Sequence, residues 1–275
     1  MGKLLLIGNG YLGQAIGDVF RNHDWSVIPV SLSGDGGALA ADVSSIADVT
    51  ALAERTGGVD FIVHCSASGR GGADAYRRVY VDGCRNLTSV FSGVPLLFTS
   101  STSVYAQTDG STVTEESPAL PDRETGRLLR EAEEIVLEAG GTVARLAGIY
   151  GPGRSVILKR FLNGETVIEE DGRRFLNQIH RDDAARAVYQ LATSGRHEGG
   201  IFNVSDFEPL SQLDCHRGLA ELFGRPMPPF GPRDPDRKRG WTHKRVSSAK
   251  LASLGWKPAF PSILNAAEGI SRTLG

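Results

Sequence analysis

The chain has little cysteine, no long apolar run and no excess of either charge. Its three cysteines, Cys65, Cys84 and Cys215, are odd in number and none stands in a Cys-x-x-Cys pair. They suggest neither a disulfide framework nor a zinc site, and a reduced, cytoplasmic setting is expected. No stretch approaches the roughly 20 apolar residues that a bilayer span needs. The opening apolar run, residues 4–7, is too short for a secretory leader and leads straight into glycines, so it reads as a first strand. With 30 basic and 32 acidic side chains the formal charge is −2. That balance supplies no broad basic field for nucleic acid or anionic lipid, and the expected partner is a small molecule or a protein. No repeat of 20–50 residues is visible. What the chain does have is glycine, 34 residues of 275 without a period, together with 40% hydrophobic and 23% charged residues. This composition fits a packed globular protein, of a length near the upper limit for one hydrophobic core.

Short apolar runs alternate with helical patterns. Residues 4–7, 27–30, 59–65, 96–99 and 143–146 are rich in Val, Ile, Leu and Phe, as strands covered on both faces are. Between them, Leu12, Ala15, Ile16, Val19 and Phe20 recur at the spacing of one helix face, as do Leu128, Leu129, Ala132, Ile135, Val136 and Ala139. This order predicts an α/β fold, a doubly wound parallel sheet with right-handed crossovers. After about residue 205 the texture changes, with Pro226, Pro228, Pro229, Pro232 and Pro235 among basic residues, which reads as a smaller, loop-rich lobe.

The strongest local signal is Gly8-Asn9-Gly10-Tyr11-Leu12-Gly13, a GxGxxG that follows a strand and opens a helix. Gly8 permits the tight turn, Gly10 lets a pyrophosphate approach the backbone, and Gly13 lets the helix pack on the strand, while the helix N-terminus favours the anion. These six residues are candidate cofactor ligands. NAD against NADP stays open: the second strand ends at Val30-Ser31-Leu32-Ser33, so Ser31 is a candidate ribose contact, and Asp35 reads as a solvated turn residue.

Several further segments resemble one family, the extended short-chain dehydrogenases/reductases, which include nucleotide-sugar epimerases and dehydratases. Ala41-Asp42-Val43 resembles its adenine-contacting segment and His64-Cys65-Ser66-Ala67 its fourth-strand cofactor segment. Residues 99–105, Thr-Ser-Ser-Thr-Ser-Val-Tyr, are similar to its fifth-strand active-site segment. Residues 145–153, 179–185 and 250–258 are similar to the segment entering the substrate lobe, to a later strand-to-helix motif and to the C-terminal tail. The resemblance implies a dinucleotide-binding domain of residues 1–148 and 176–204 and a small substrate lobe of residues 149–175 and 205–275. It also implies NAD or NADP as cofactor, with Asp42, Val43, Ser66 and Ala67 in contact with it, and a homodimer built on residues 76–91 and 125–139.

The chemistry departs from the family. Its members carry a Tyr and, four residues later, a Lys that lowers the Tyr pKa, while a Ser or Thr holds the substrate oxygen. Counting from Ser101 and Tyr105, Thr125 stands for the Tyr and Leu129 for the Lys, and no Tyr-x-x-x-Lys occurs anywhere in the chain. A threonine hydroxyl is too weak an acid to serve unaided at neutral pH. Ser101 remains at the substrate-orienting position. Thr102-Ser103 replace the Asp-Glu pair of the family's sugar dehydratases, which argues against dehydration. Tyr105 is the nearest phenol in sequence, and so a candidate for the missing acid, alongside a packing role. His64 reads as a structural histidine, and Arg130 as a charge paired with Glu133 or Glu134. The basic run Arg233, Arg237, Lys238, Arg239, Lys244 and Arg245 reads mostly as solvated surface, with Arg245 the best single ligand candidate by the family resemblance. No metal site is expected. The resemblance implies an NAD(P)-binding oxidoreductase or epimerase-like enzyme, working by a non-standard proton relay on a small polar alcohol or carbonyl, or a nucleotide-sugar-like compound. The alternative is a noncatalytic NAD(P)-binding sensor or scaffold.

Overall fold

A computed structural model describes residues 2–69, 71–195, 199–233 and 241–275. Arg237, Lys238 and Arg239 of the basic run, and Pro235, lie outside the described residues. The chain divides into two compact units, Met1–Val104 with Pro118–Arg145 and Ala185–Phe202, and Tyr105–Ser117 with Leu146–Ala184 and Asn203–Gly275.

The first unit is built on a seven-stranded sheet. Across it the strands run Ile201–Val204, Thr142–Leu146, Leu96–Ser101, Phe61–His64, Lys3–Ile7, Ser26–Ser31 and Leu39–Ala40. Lys3–Ile7 pairs in parallel with Phe61–His64 on one side and with Ser26–Ser31 on the other, bringing Ile7 beside His64 and Val30. All five apolar runs become strands of this sheet, and Leu4, Leu5 and Leu6 are fully buried, as strands covered on both faces must be. Two edge strands give no such run: Leu39–Ala40 is two residues long, and Ile201–Val204 carries a buried polar Asn203.

Helix Tyr11–Arg21 turns Gly13, Ala15, Ile16, Gly17 and Phe20 inward, leaving Leu12 and Val19 half-buried. Helix Glu124–Glu138 buries Leu128, Leu129, Ala132 and Val136, as the spacing predicts, and also Glu133, which it does not.

Among the described residues the second unit has three two-stranded parallel ladders: Gly148–Tyr150 with Gln178–His180, Ile168–Glu169 with Phe230–Gly231, and Thr112–Val113 with Arg245–Val246. Its core gathers Tyr150, Leu158, Phe161, Cys215, Leu219, Ile263, Ala267 and Ile270. Helix Gln212–Phe223 starts at Ser211, whose hydroxyl accepts the Asp214 N–H, and ends at Gly224 in the left-handed conformation. In the motif at 179–185, buried Asp183 accepts the backbone N–H groups of Ala259 and Phe260 at 2.8 and 3.0 Å, so this carboxylate holds the C-terminal tail. No helix among the described residues is long and apolar enough to cross a membrane.

Candidate functional site

The glycine turn is shaped by close approach. Gly8 sits at φ +113°, and a Cβ there would lie 2.6 Å from the Ser66 backbone nitrogen. A Cβ on Gly13 would lie 1.8 Å from the Gly8 carbonyl oxygen, so only glycine lets this helix start so close to the strand. A Cβ on exposed Gly10 would meet nothing within 4 Å, which leaves that side open to a ligand. Gly10 caps the helix with extended backbone and no side-chain hydrogen bond, and the first turn carries no acidic residue. A tight turn, an open face and an uncapped helix N-terminus are what a pyrophosphate requires, so the residues present fit a dinucleotide. Asn9, Tyr11 and Leu12 are half-buried around the same bend.

The other cofactor candidates lie on neighbouring strand ends. Ser31 accepts the Gly34 N–H at 3.0 Å, and Ser33 donates to Asp35 at 2.6 Å, so the hydroxyls after the second strand hold their own loop. Asp42 accepts from the Ser44 N–H and hydroxyl at 2.9 and 2.7 Å, while the Val43 carbonyl accepts from Asn86 at 2.9 Å. Ser66, half-buried, and Ala67, exposed, follow Cys65, whose thiol donates to the Gly8 carbonyl at 3.3 Å. The fourth-strand segment therefore lies against the glycine turn.

Ser101 ends the strand Leu96–Ser101, half-buried, and its oxygen accepts the Ser103 N–H at 3.2 Å. Thr125 lies in the first turn of helix Glu124–Glu138, half-buried, and the next residue is small for a reason of space: a Cβ on Gly126 would stand 2.5 Å from Pro121 Cβ. Leu129 is packed into the interior at 5% exposure, so this position offers no charge to a neighbouring phenol. Tyr105 belongs to the second unit and is fully buried. Its hydroxyl lies 3.0 Å from the Thr114 carbonyl and 2.9 Å from Asn203 Oδ1, both acceptors.

His64 is fully buried, and Nε2 donates to the Val79 carbonyl at 2.9 Å. Burial pushes its pKa down to about 4, opposed by that hydrogen bond, so the imidazole is neutral. Arg130 pairs with both Glu133 and Glu134, one buried and one exposed. The surface reading of the basic run fails at Lys244, which is 3% exposed and donates to the Tyr105 carbonyl at 2.7 Å; burial pushes its pKa down to about 8. The next residue, Arg245, is exposed, with its guanidinium over the Phe175 ring, 5.0 Å from its centre.

Two groups went unread in the sequence. Glu133, Arg145 and Ser100 form a buried cluster, and the Tyr80 phenol accepts the Ser68 N–H at 3.2 Å, next to the fourth-strand segment. Neither Glu133 in a charged helix nor Tyr80 in Arg-Arg-Val-Tyr-Val-Asp breaks a periodic pattern. The one signal was Arg145, a charge inside an apolar strand run.

The sequence model of the NAD dependent epimerase/dehydratase family matches residues 4–205. The chain belongs to this family. Protein YeeZ of Escherichia coli K12 is 28% identical over 251 residues, 84% of this chain and 87% of that one. UDP-glucose 4-epimerase of Thermotoga maritima, solved with UDP-glucose, has the same fold, with a TM-score of 0.81 at 21% identity over 99% of this chain and 98% of that one. So does dTDP-glucose 4,6-dehydratase of Bacillus anthracis, solved in complex with NAD, with a TM-score of 0.81 at 16% identity over 99% and 96%.

Proposed function

We propose that this chain is an NAD(P)-dependent oxidoreductase or epimerase-like enzyme acting on a small polar alcohol or carbonyl of the nucleotide-sugar-like class. The glycine turn at 8–13, with its open Gly10 face and uncapped helix, carries this reading. When bound, the dinucleotide supplies the hydride acceptor or donor. The chain's own part is to hold the pyrophosphate on the N-terminus of helix Tyr11–Arg21 and to wall the cofactor with Ser31, Asp42, Val43, Ser66 and Ala67. Ser101 holds the reacting oxygen: its lone pair is taken by the Ser103 N–H, which leaves its proton for donation to an alcohol or carbonyl oxygen. Nucleotide-sugar chemistry at the substrate end is supported by the likeness to UDP-glucose 4-epimerase and dTDP-glucose 4,6-dehydratase, and Thr102-Ser103 support redox or epimerisation over dehydration. Tyr105, buried with two acceptors at its hydroxyl, serves in packing rather than in the relay.

A binding protein without turnover is the second reading, favoured by Leu129 in the interior beside a threonine. Titration with NADH and NADPH, followed by a screen of carbonyl compounds for loss of the nicotinamide absorbance, separates the two. Binding with turnover is expected, whereas tight binding with none moves the assignment to a sensor. Ser101→Ala is expected to lower turnover about 10²-fold with dinucleotide affinity unchanged; equal turnover removes Ser101 from the site. The assembly is a homodimer through residues 76–91 and 125–139, and a monomeric mass in sedimentation refutes it.

A further inference from the structure

Interconversion of an alcohol and a carbonyl needs a group that gives and takes a proton at the oxygen, and the residue types at 125 and 129 cannot do so. The chain has six tyrosines. Tyr105 and Tyr150 are buried, with their hydroxyls on Asn203 and Asp206. Tyr189 is stacked on His23 and edge-on to Phe20. Tyr11 lies in the glycine turn itself, and Tyr76 stands edge-on to Tyr80, with ring centres 5.0 Å apart.

Tyr80 differs from these. It lies on Arg77–Asp82, a π-helical insertion between helices Ala73–Tyr76 and Gly83–Val90, and such insertions occur frequently at functional sites. The widened turn is held from below by His64, whose Nε2 donates to the Val79 carbonyl. It packs against helix Glu124–Glu138, the element that carries Thr125, and Arg77 reaches Glu131 across that contact at 3.4 Å. The Tyr80 ring lies 5.9 Å from Phe98, three residues before Ser101 on the same strand. Its oxygen accepts the Ser68 N–H, two residues after Ser66, whose backbone lies against Gly8. The phenol therefore stands at the carboxyl ends of the central strands, where the glycine turn, the Ser66-Ala67 wall and Ser101 also stand, and where open α/β sheets bind their ligands. It is half-buried, and no acceptor for its own proton is present among the described residues. Other titratable groups on these strand ends are committed: burial lowers His64, and pushes the Cys65 thiol up to about 12, with its proton on the Gly8 carbonyl.

We propose that the Tyr80 phenol is the catalytic proton donor and acceptor of this site, supplied from the π-helical segment instead of from helix Glu124–Glu138. This rests on the reading that the chain exchanges hydride between a dinucleotide and a substrate alcohol or carbonyl. In the reducing direction the phenol O–H bond breaks and its proton goes to the substrate oxygen, while the hydride of the exchange reaches the carbonyl carbon from the dinucleotide, and water reprotonates the phenolate. In the oxidising direction the phenolate would take the hydroxyl proton, while the C–H hydride of the substrate would pass to the oxidised dinucleotide.

The test compares the wild type with Tyr80→Phe, which keeps the ring packed against Phe98 and Tyr76 and removes only the hydroxyl. Tyrosinate absorbance is titrated alone, with NAD+ and with NADH. The cationic nicotinamide of NAD+ is expected to move one phenol ionisation of the wild type down by about one pH unit. Neutral NADH is not, and the variant is expected to lack the shift. Turnover of the carbonyl compound selected in the screen is expected to fall about 10²-fold in the variant, with NADH affinity within about threefold, a split that a mere clamp on the Ser68 loop would not produce. Dinucleotide binding with no NAD+-linked ionisation, or a variant that turns over as the wild type does, overturns Tyr80 and leaves the enzyme reading standing. A wild type that binds neither NADH nor NADPH overturns that reading and Tyr80's role with it.

Discussion

Glu133 in the first unit and Asp206 in the second are carboxylates buried to a similar depth, 0% and 5% exposed, yet their surroundings are opposite. Glu133 receives Arg145 through Nε at 3.0 Å and Nη2 at 2.6 Å, the Ser100 hydroxyl at 2.6 Å, and Arg130 at the outer edge. Asp206 has the Tyr150 hydroxyl at 3.1 Å and a hydrogen bond from the His180 backbone, but no cation, and its Oδ1 has no partner among the described residues. Burial pushes Asp206 up to about 8, against those two hydrogen bonds and with the Glu208 charge adding to the rise. The same burial, with the Asp206 charge beside it, raises the Tyr150 phenol. Depth alone does not decide the state of a buried acid; the nearest cation does. Glu133 joins strands Leu96–Ser101 and Thr142–Leu146 to the helix that carries Thr125 as an ion pair, whereas burial without a cation shifts Asp206 towards its protonated form.

The sharpest way to break this contrast is Glu133→Gln, which leaves Arg145 buried without its counter-charge. Chemical denaturation should show a loss of about 3–5 kcal/mol with an unchanged denaturant slope. A loss below about 1 kcal/mol would mean that the ion pair does not hold the cluster. Asp206 should instead appear in the pH dependence. Its carboxyl rises from an ordinary value of 3.8 to about 8 on folding, so the folded chain keeps a proton that the unfolded chain releases. Stability is then fully present below about pH 4 and falls as pH rises towards 8, by about 2–4 kcal/mol across the window. Asp206→Asn still accepts the Tyr150 hydroxyl but no longer titrates, so its stability should be flat over that range. A slope equal to that of the wild type would show that Asp206 is not the group that titrates. The smallest effect is expected for Ser100→Ala, about 1 kcal/mol, because two guanidinium groups still meet Glu133.

The readable parts of the molecule were those where one residue type has one physical use. Apolar runs at residues 4–7 and 96–99 had to be interior strands, and glycines at 8, 10 and 13 had to mark a bend that tolerates no side chain. Charged residues were harder, because the same side chain serves on a surface or in an ion pair. Glu133 lies among Arg130, Glu131 and Glu134, and only the strand laid beneath its helix makes it interior. Lys244 and Arg245 are neighbours in one basic run, yet Lys244 is buried on the Tyr105 carbonyl while Arg245 is exposed. Tyr80 carried no sequence signal, since the contact that marks it, its oxygen against the Ser68 N–H, comes from another segment.

Local chemistry along the chain was sufficient to determine the alternation of strand and helix, the glycine bend and the absence of a phenol-lysine pair one helical turn apart, because each rests on residues a few positions from one another. Which acid is paired, which lysine is dry and which phenol keeps an uncommitted proton were decided only by folding. Those properties depend on the distance and solvation of groups far apart in sequence, and no local pattern encodes them.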